Sequence, residues 1–388
     1  MRIPLSAPDI SQEDIDAVAA VLRTSRLSLG PKLDEFEHAM ARYTGSAHAI
    51  GVSSGTAGLH LCVRALGIGE GDEVIVPSFA FIAVANAVRY ERAVPVFVDI
   101  EPETLNLDPA RIEAAITSRT KAILVVHTFG CPADLAAILE IARRHHLCVI
   151  EDACEAIGAE FDGRKVGGWG DAGVFAFYPN KQITTGEGGM VVTENPRIAA
   201  LVRTLRNQGR DDSGEWLQHS EMGYNYRLAE MNCALGISQL KRIDAMLARR
   251  AEIAGKYNAK LRGMENLRLP ALEVPQRKLS WFVYVVRLSG SFSQIHRDWI
   301  MREMHRRGIG CGRYFAPIHM QPAYRSACGP RGDLSVTELE ASRCLALPLF
   351  NRLQDAQIAE VCENLGELLQ VAASRAVEEL SANSAAGF

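Results

Sequence analysis

Short β-branched runs alternate with amphipathic stretches through the first two thirds of the chain. Glu73–Val76, Val94–Ile100, Lys121–Val126, Cys148–Ile150 and Gly173–Phe177 read as strands, with helices expected near 57–67, 82–90, 109–116 and 133–146. Strands apolar on both faces and separated by such helices describe an α/β architecture, a mostly parallel sheet covered by helices on each side. Ligands of these sheets bind beyond the carboxyl ends of the strands, and Asp152 stands at such an end.

Ser11-Gln-Glu-Asp14 has the form of a helix cap and predicts a helix to about Leu22, with a second over 32–43. From Leu228 to about Leu261 the pattern stays helical, and Pro270 and Pro275 then mark a change of composition. This places a domain boundary near 250. A large domain over 1–250 includes the N-terminal helical segment. A small α+β domain over 251–388 is expected to hold a strand at Phe282–Leu288 and helices near 293–307 and 354–371. The last residues, Ser381–Phe388, can bury little and are expected to be loose.

Composition narrows the partners. The 388 residues exceed what one core usually supports, in line with two domains. With 42 basic and 46 acidic residues interspersed and a net charge of -4, there is no basic stripe for nucleic acid or anionic lipid. Small-molecule partners are favoured. Nine cysteines without a Cys-x-x-Cys pair fit neither a disulfide framework nor a zinc knuckle, so no metal is expected and a reducing cytoplasm is the natural compartment. Prolines at 4 and 8 break the N-terminus, which lacks the apolar core of a secretion signal, and no apolar run is long enough to span a bilayer.

Lys181 is the only charged side chain in Ala172–Gly186. Desolvation disfavours an ammonium ion, so a lysine in such company is a candidate nucleophilic amine; a solvated loop lysine is the ordinary alternative. Asp152 closes the apolar run from Leu147 and is placed to hold a protonated ring nitrogen, or simply to cap a helix or pair with a base. Together the two suggest a pyridoxal phosphate site, with Lys181 on the aldehyde and Asp152 on the pyridinium. Ser53-Ser-Gly-Thr-Ala-Gly-Leu-His60 is a glycine-bearing turn into a helix, whose first-turn N–H groups at Thr56 and Ala57 suit a phosphate. An ordinary serine-capped helix start reads the same way. Phe81 follows the first clear strand, where its ring is free either to stack on a pyridine face or to pack in the core.

Five motifs in order, Ser54-Gly-Thr-Ala57, Gly71-Asp-Glu-Val-Ile-Val-Pro-Ser78, Glu151-Asp-Ala153, Lys181-Gln-Ile-Thr-Thr-Gly-Glu-Gly-Gly189 and Gly223-Tyr-Asn-Tyr-Arg-Leu228, make a specific signal. The sequence resembles the sugar aminotransferases of the DegT/DnrJ/EryC1/StrS family from about Pro4 to about Leu369. The resemblance implies an aspartate-aminotransferase-like, fold-type-I pyridoxal phosphate enzyme, a homodimer with active sites at the subunit interface. By position Lys181 matches the Schiff-base lysine, Asp152 the pyridinium partner, Phe81 the stacking aromatic, and Gly55, Thr56 and Ala57 the phosphate turn. Asn225 matches an asparagine that reaches the phosphate from the neighbouring subunit. Two positions depart from the family pattern. Glu155 stands where many relatives carry Gln or His near the cofactor's phenolic oxygen, and Ala176 replaces a phosphate-binding serine. A protonated Glu155 would share its proton with that oxygen, whereas an ionised one would be repelled by it.

The activity so implied moves an amino group from L-glutamate to a nucleotide-linked keto-deoxysugar, with Lys181 as the general base once released. Leu279–Val286 and Tyr314–His319 look similar to perosamine-forming and related 4-amino-sugar enzymes. Arg227, Tyr314 and His319 are candidates to contact sugar or diphosphate, with ordinary surface or interface roles as the alternative. A keto-sugar dehydratase is a rival reading, but relatives of that kind carry histidine where this chain has Lys181. A non-catalytic sensor that keeps the fold is another. A Rossmann dehydrogenase is disfavoured, since Gly67-Ile-Gly69 and Gly308-Ile-Gly310 lack the required spacing and context, and no P-loop occurs.

Overall fold

The computed structural model describes residues 1–211, 218–325 and 332–375. Ser11 Oγ accepts the Asp14 N–H at 3.3 Å and Asp14 Oδ2 accepts the Ser11 N–H at 2.9 Å, a reciprocal cap that opens α1 (Gln12–Leu22). Pro31 begins α2 (Pro31–Thr44), which ends at Gly45 in the left-handed region with φ 77°.

Seven strands form the main sheet: β1 (His48–Val52), β2 (Glu73–Pro77), β3 (Val94–Val98), β4 (Thr120–Val126), β5 (Cys148–Asp152), β6 (Ala172–Ala176) and β7 (Gly189–Thr193). Their spatial order is β1-β7-β6-β5-β4-β2-β3. Strands β2 to β6 pair in parallel, and β7 runs antiparallel to both β6 and β1. The sheet is the expected mostly parallel one, with β1 and β7 as additions the pattern did not reveal. Alternation sends Ile75, Ile123 and Val125 to one face, against Leu33 and Phe36 of α2 and Leu135 and Ile138 of α5 (Leu135–His145). Val74, Val76, Leu124 and Val126 meet the other face, under α3 (Gly55–Ala65), α4 (Ala83–Tyr90) and α6 (Pro196–Arg206). Each such side chain, fully removed from water, contributes about 1.5–3 kcal/mol, which fixes the strand ends firmly enough to carry a site.

The helical stretch expected over 228–261 is two helices, α7 (Glu230–Leu240) and α8 (Ile243–Leu261). Asp14 Oδ2 of α1 accepts from Gln239 Nε2 at 2.6 Å and from Arg242 Nη2 at 2.7 Å, a tertiary tie at the break that periodicity cannot display. A second sheet, β8 (Leu267–Arg268), β9 (Tyr284–Leu288) and β10 (Cys344–Leu347), is antiparallel in the order β8-β9-β10. It packs with α9 (Gln294–Arg306), α10 (Ser335–Arg343) and α11 (Asp355–Ser374), and its separate core joins Tyr284, Trp299, Ile300, Leu345 and Val361 to Tyr257 of α8. Among the described residues no helix is long and apolar enough to cross a membrane, and eight cysteines are free. Cys328 and Ser381–Phe388 lie outside the described residues.

Candidate active site

Because β7 reverses between them, β1 and β6 point the same way, so the carboxyl ends of β1, β5 and β6 share one edge of the sheet. Past β1, the Ser53 N–H donates to Tyr226 O at 2.8 Å. Ser54 then caps α3 in an extended conformation, its Oγ accepting the Ala57 N–H at 3.1 Å. The N–H groups of Gly55 and Thr56 precede the first intrahelical bond and give this end its positive character. A Cβ on Gly55 would stand 2.7 Å from Ala176 Cβ and 2.9 Å from Cys154 Sγ, so a bare glycine is what lets α3 approach the end of β6.

Asp152 is the last residue of β5, opposite Val126 of β4 and Val174 of β6, and is buried. Its Oδ1 accepts the Cys154 N–H at 3.0 Å. Glu151, one residue earlier, faces away and has a different task. Its carboxylate accepts the N–H groups of Gly167, Trp169 and Gly170 at 2.6–2.8 Å and His127 Nε2 at 3.1 Å. His127 Nδ1 accepts the Ala133 N–H at 3.1 Å, which leaves the ring proton on Nε2. Burial pushes the Glu151 carboxyl up, but His127 and the backbone donors outweigh it and hold the group below the usual carboxylate range. Strand alternation was the signal that would have separated it from Asp152.

Lys181 sits in the loop after β6, which is closed by hydrogen bonds from Phe177 N–H to Gly188 O and from Thr185 N–H to Phe177 O, both 3.0 Å. Its side chain is 13 % exposed. The apolar local sequence made it look isolated, but the fold brings a carboxylate: Nζ lies 3.6 Å from Glu155 Oε1 and 3.9 Å above the Phe282 ring. Glu155 Oε2 accepts the N–H of Phe129, a residue in the left-handed region at φ 57°, at 3.0 Å. Burial raises the Glu155 carboxyl above its ordinary value of 4.5; Lys181 and the Phe129 N–H work against the rise and Asp152 adds to it. Tyr314 closes the group, its ring 6.0 Å from Phe282 and 6.1 Å from Phe129. Burial and the nearby Glu155 push its phenol up to about 12.

His319 spends Nδ1 on Ser78 Oγ at 2.6 Å and Nε2 on Glu338 at 3.2 Å, bracing the end of β2 to α10. Arg227 donates to Asn207 Oδ1 at 3.1 Å, and Asn225, exposed, bridges Asn207 through its backbone. Phe81 lies just before α4 with 59 % of its surface exposed. Sequence reasoning missed Phe129, Cys154 and Phe282 at the site. Only Phe282, in a segment already noted as similar to amino-sugar enzymes, carried a signal.

A helix N-terminus, a buried carboxylate and an enclosed amine at one sheet edge match the phosphate, ring nitrogen and aldehyde of pyridoxal phosphate. The residues therefore fit that group. The chain matches the DegT/DnrJ/EryC1/StrS aminotransferase family over residues 8–366. It is 42% identical over 370 residues to GDP-perosamine synthase of Caulobacter vibrioides, covering 95% of this chain and 98% of that one. Among solved structures it is similar to S. venezuelae DesV in complex with a ketimine intermediate, with TM-score 0.88 and 37% identity over 97% of this chain and 99% of that one. Spr1654 from Streptococcus pneumoniae in its PLP-form aligns with TM-score 0.91 and 26% identity, covering 96% of this chain and all of that one. With this site on this fold, the chain belongs to the DegT/DnrJ/EryC1/StrS family and is a pyridoxal phosphate-dependent aminotransferase.

Proposed function

We propose that the enzyme moves an amino group from L-glutamate to a nucleotide-linked keto-deoxysugar, giving an amino sugar nucleotide and 2-oxoglutarate. The observation that carries the reading is the enclosed Lys181 amine beside Glu155, at the sheet edge that holds Asp152. The likeness to GDP-perosamine synthase makes a GDP-linked acceptor the first to offer.

Pyridoxal phosphate, when bound, supplies an electron sink for the bond to the donor's α-hydrogen. Lys181 is the residue that would hold its aldehyde, and its Nζ, when free, would take the proton from the donor's α-carbon and deliver it to the former aldehyde carbon across the nitrogen. Asp152 would keep a proton on the ring nitrogen, and the N-terminus of α3 with Gly55, Thr56 and Ala57 would hold the phosphate. Glu155, favoured in its protonated form by burial, offers a hydrogen bond to the phenolic oxygen. Phe282 and Tyr314 exclude water from Lys181. Phe81 would stack on the ring, and Arg227 and Tyr314 would face the sugar diphosphate; His319 would act at one remove, since both its ring nitrogens are engaged.

The large domain, 1–250, carries the cofactor, and the small one, 251–388, lends Phe282 and Tyr314. The protein works in the cytoplasm as a homodimer with shared sites, Asn225 reaching the neighbour's phosphate. Tyr178 and Met222, exposed at 51% and 83%, are apolar surface that such an interface would cover.

Glutamate alone, added to yellow holoenzyme, should bleach it and release one equivalent of 2-oxoglutarate per site. A panel of keto-sugar nucleotides should then restore the colour with one preferred acceptor. Holoenzyme that yields no 2-oxoglutarate from glutamate would sink the donor assignment, and a panel with no acceptor would sink the sugar.

A further inference from the structure

Away from Lys181, a buried histidine and a half-buried glutamate meet two tyrosines. His60 lies on α3, the helix whose N-terminus forms the phosphate turn, and Glu91 follows α4. His60 Nε2 is 2.7 Å from Glu91 Oε1, and its Nδ1 is 3.2 Å from the Tyr226 hydroxyl. The Tyr224 hydroxyl donates to the same Glu91 oxygen at 2.9 Å, and Arg64 Nη1 reaches Oε2 at 3.2 Å. The two tyrosine rings stack at 5.0 Å and 10°, with the His60 ring edge-on to both.

Between these tyrosines stands Asn225. The segment is extended, its backbone tied by Tyr224 N–H to Leu205 O, Tyr226 N–H to Arg206 O and Ser53 N–H to Tyr226 O. Neighbouring side chains in such a segment point to opposite sides. Tyr224 and Tyr226 turn inward to His60 and Glu91, and Asn225 is exposed. Apolar packing would hold two tyrosines without an ionisable pair. Enclosing a histidine and a glutamate carries a desolvation penalty, and what the pair adds is a fixed rotation of the strand through two hydroxyl bonds.

We propose that His60 and Glu91, through Tyr224 and Tyr226, are positioning residues for Asn225, fixing the face that the segment presents to the neighbouring subunit's phosphate. The inference rests on the shared-site reading above.

The test compares affinities of apoenzyme for pyridoxal phosphate and for pyridoxal, which lacks the phosphate. Tyr226→Phe keeps the ring stack and removes one hydroxyl; Glu91→Gln is the second variant, and thermal unfolding reports that each is folded. Each should lose about tenfold in affinity for pyridoxal phosphate, the scale of a hydrogen bond to a charged group, with pyridoxal affinity unchanged. In an Asn225→Ala background, neither change should weaken phosphate binding further. Equal losses for both ligands, additive losses in that background, or a folded Tyr226→Phe with wild-type affinity would overturn the proposal. If Asn225→Ala itself binds pyridoxal phosphate normally, the positioning role falls together with the reach of Asn225 across the interface. The glutamate half-reaction would still stand.

Discussion

Glu151 and Glu155 lie four positions apart, and both are buried, yet their carboxyl groups shift in opposite directions. Burial alone would raise both. Glu151 is surrounded by three backbone N–H groups and the His127 ring, which more than offset the loss of water. Glu155 has one backbone N–H, from Phe129, and a lysine nitrogen at 3.6 Å, beyond ordinary hydrogen-bond distance. The first acid has used up its bonding capacity in joining β5 to the 167–170 turn. The second keeps capacity in reserve beside an amine. Unspent hydrogen bonding, rather than depth, separates the two acids.

The contrast has meaning only if the amine beside Glu155 is the reacting one. Lys181→Ala should lower glutamate turnover by about 10³-fold, the range of a lost general base, and remove the absorption band of the internal imine even where cofactor stays bound as the free aldehyde. Single-turnover release of 2-oxoglutarate measures it. A variant that turns over normally would make Glu155 as structural as Glu151.

Glu151→Ala strikes the other side. It strands His127 and three N–H groups without an acceptor, and should destabilise the fold by about 3 kcal/mol or more, read from urea unfolding at neutral pH. Because the folded carboxyl is held low, its contribution is present above the ordinary carboxylate range and fades as acid takes the pH through the lowered value. A loss below about 1 kcal/mol would mean that water replaces the carboxylate and that its donors were never its distinction.

The sheet itself was readable. Strands β2 to β5 carry buried runs built on Val, Ile or Leu, whereas β1, His48-Ala-Ile-Gly-Val52, opens on a histidine and is interrupted by Gly51. β7 follows directly on the glycines of the lysine loop and is hidden by them. In the site, Lys181 and Asp152 were legible because each is a charge where the local pattern is apolar. Their surroundings were not: Glu155 meets Lys181, and Phe282 covers it, only through tertiary folding. His319 shows the converse, a polar residue in a suggestive motif whose ring is consumed by Ser78 and Glu338.

Glu155→Gln is the mildest change and cuts the comparison most finely. Since the folded carboxyl titrates above 4.5, the folded state keeps a proton that the unfolded chain releases, so wild-type stability falls as pH rises from 4.5 through the raised value. Glutamine cannot ionise and escapes that decline, so the variant should be equal or more stable at neutral pH, with the gap closing toward pH 4.5. Its amide still donates a hydrogen bond, which predicts a modest fall in the glutamate half-reaction. The pH–rate profile is the sharper readout. If protonated Glu155 serves the cofactor's phenolic oxygen, the wild-type rate falls as pH passes its raised value, and the Gln variant stays level across that window. Superimposable profiles would return Glu155 to the company of Glu151, leaving Lys181 and Asp152 to account for the chemistry on their own.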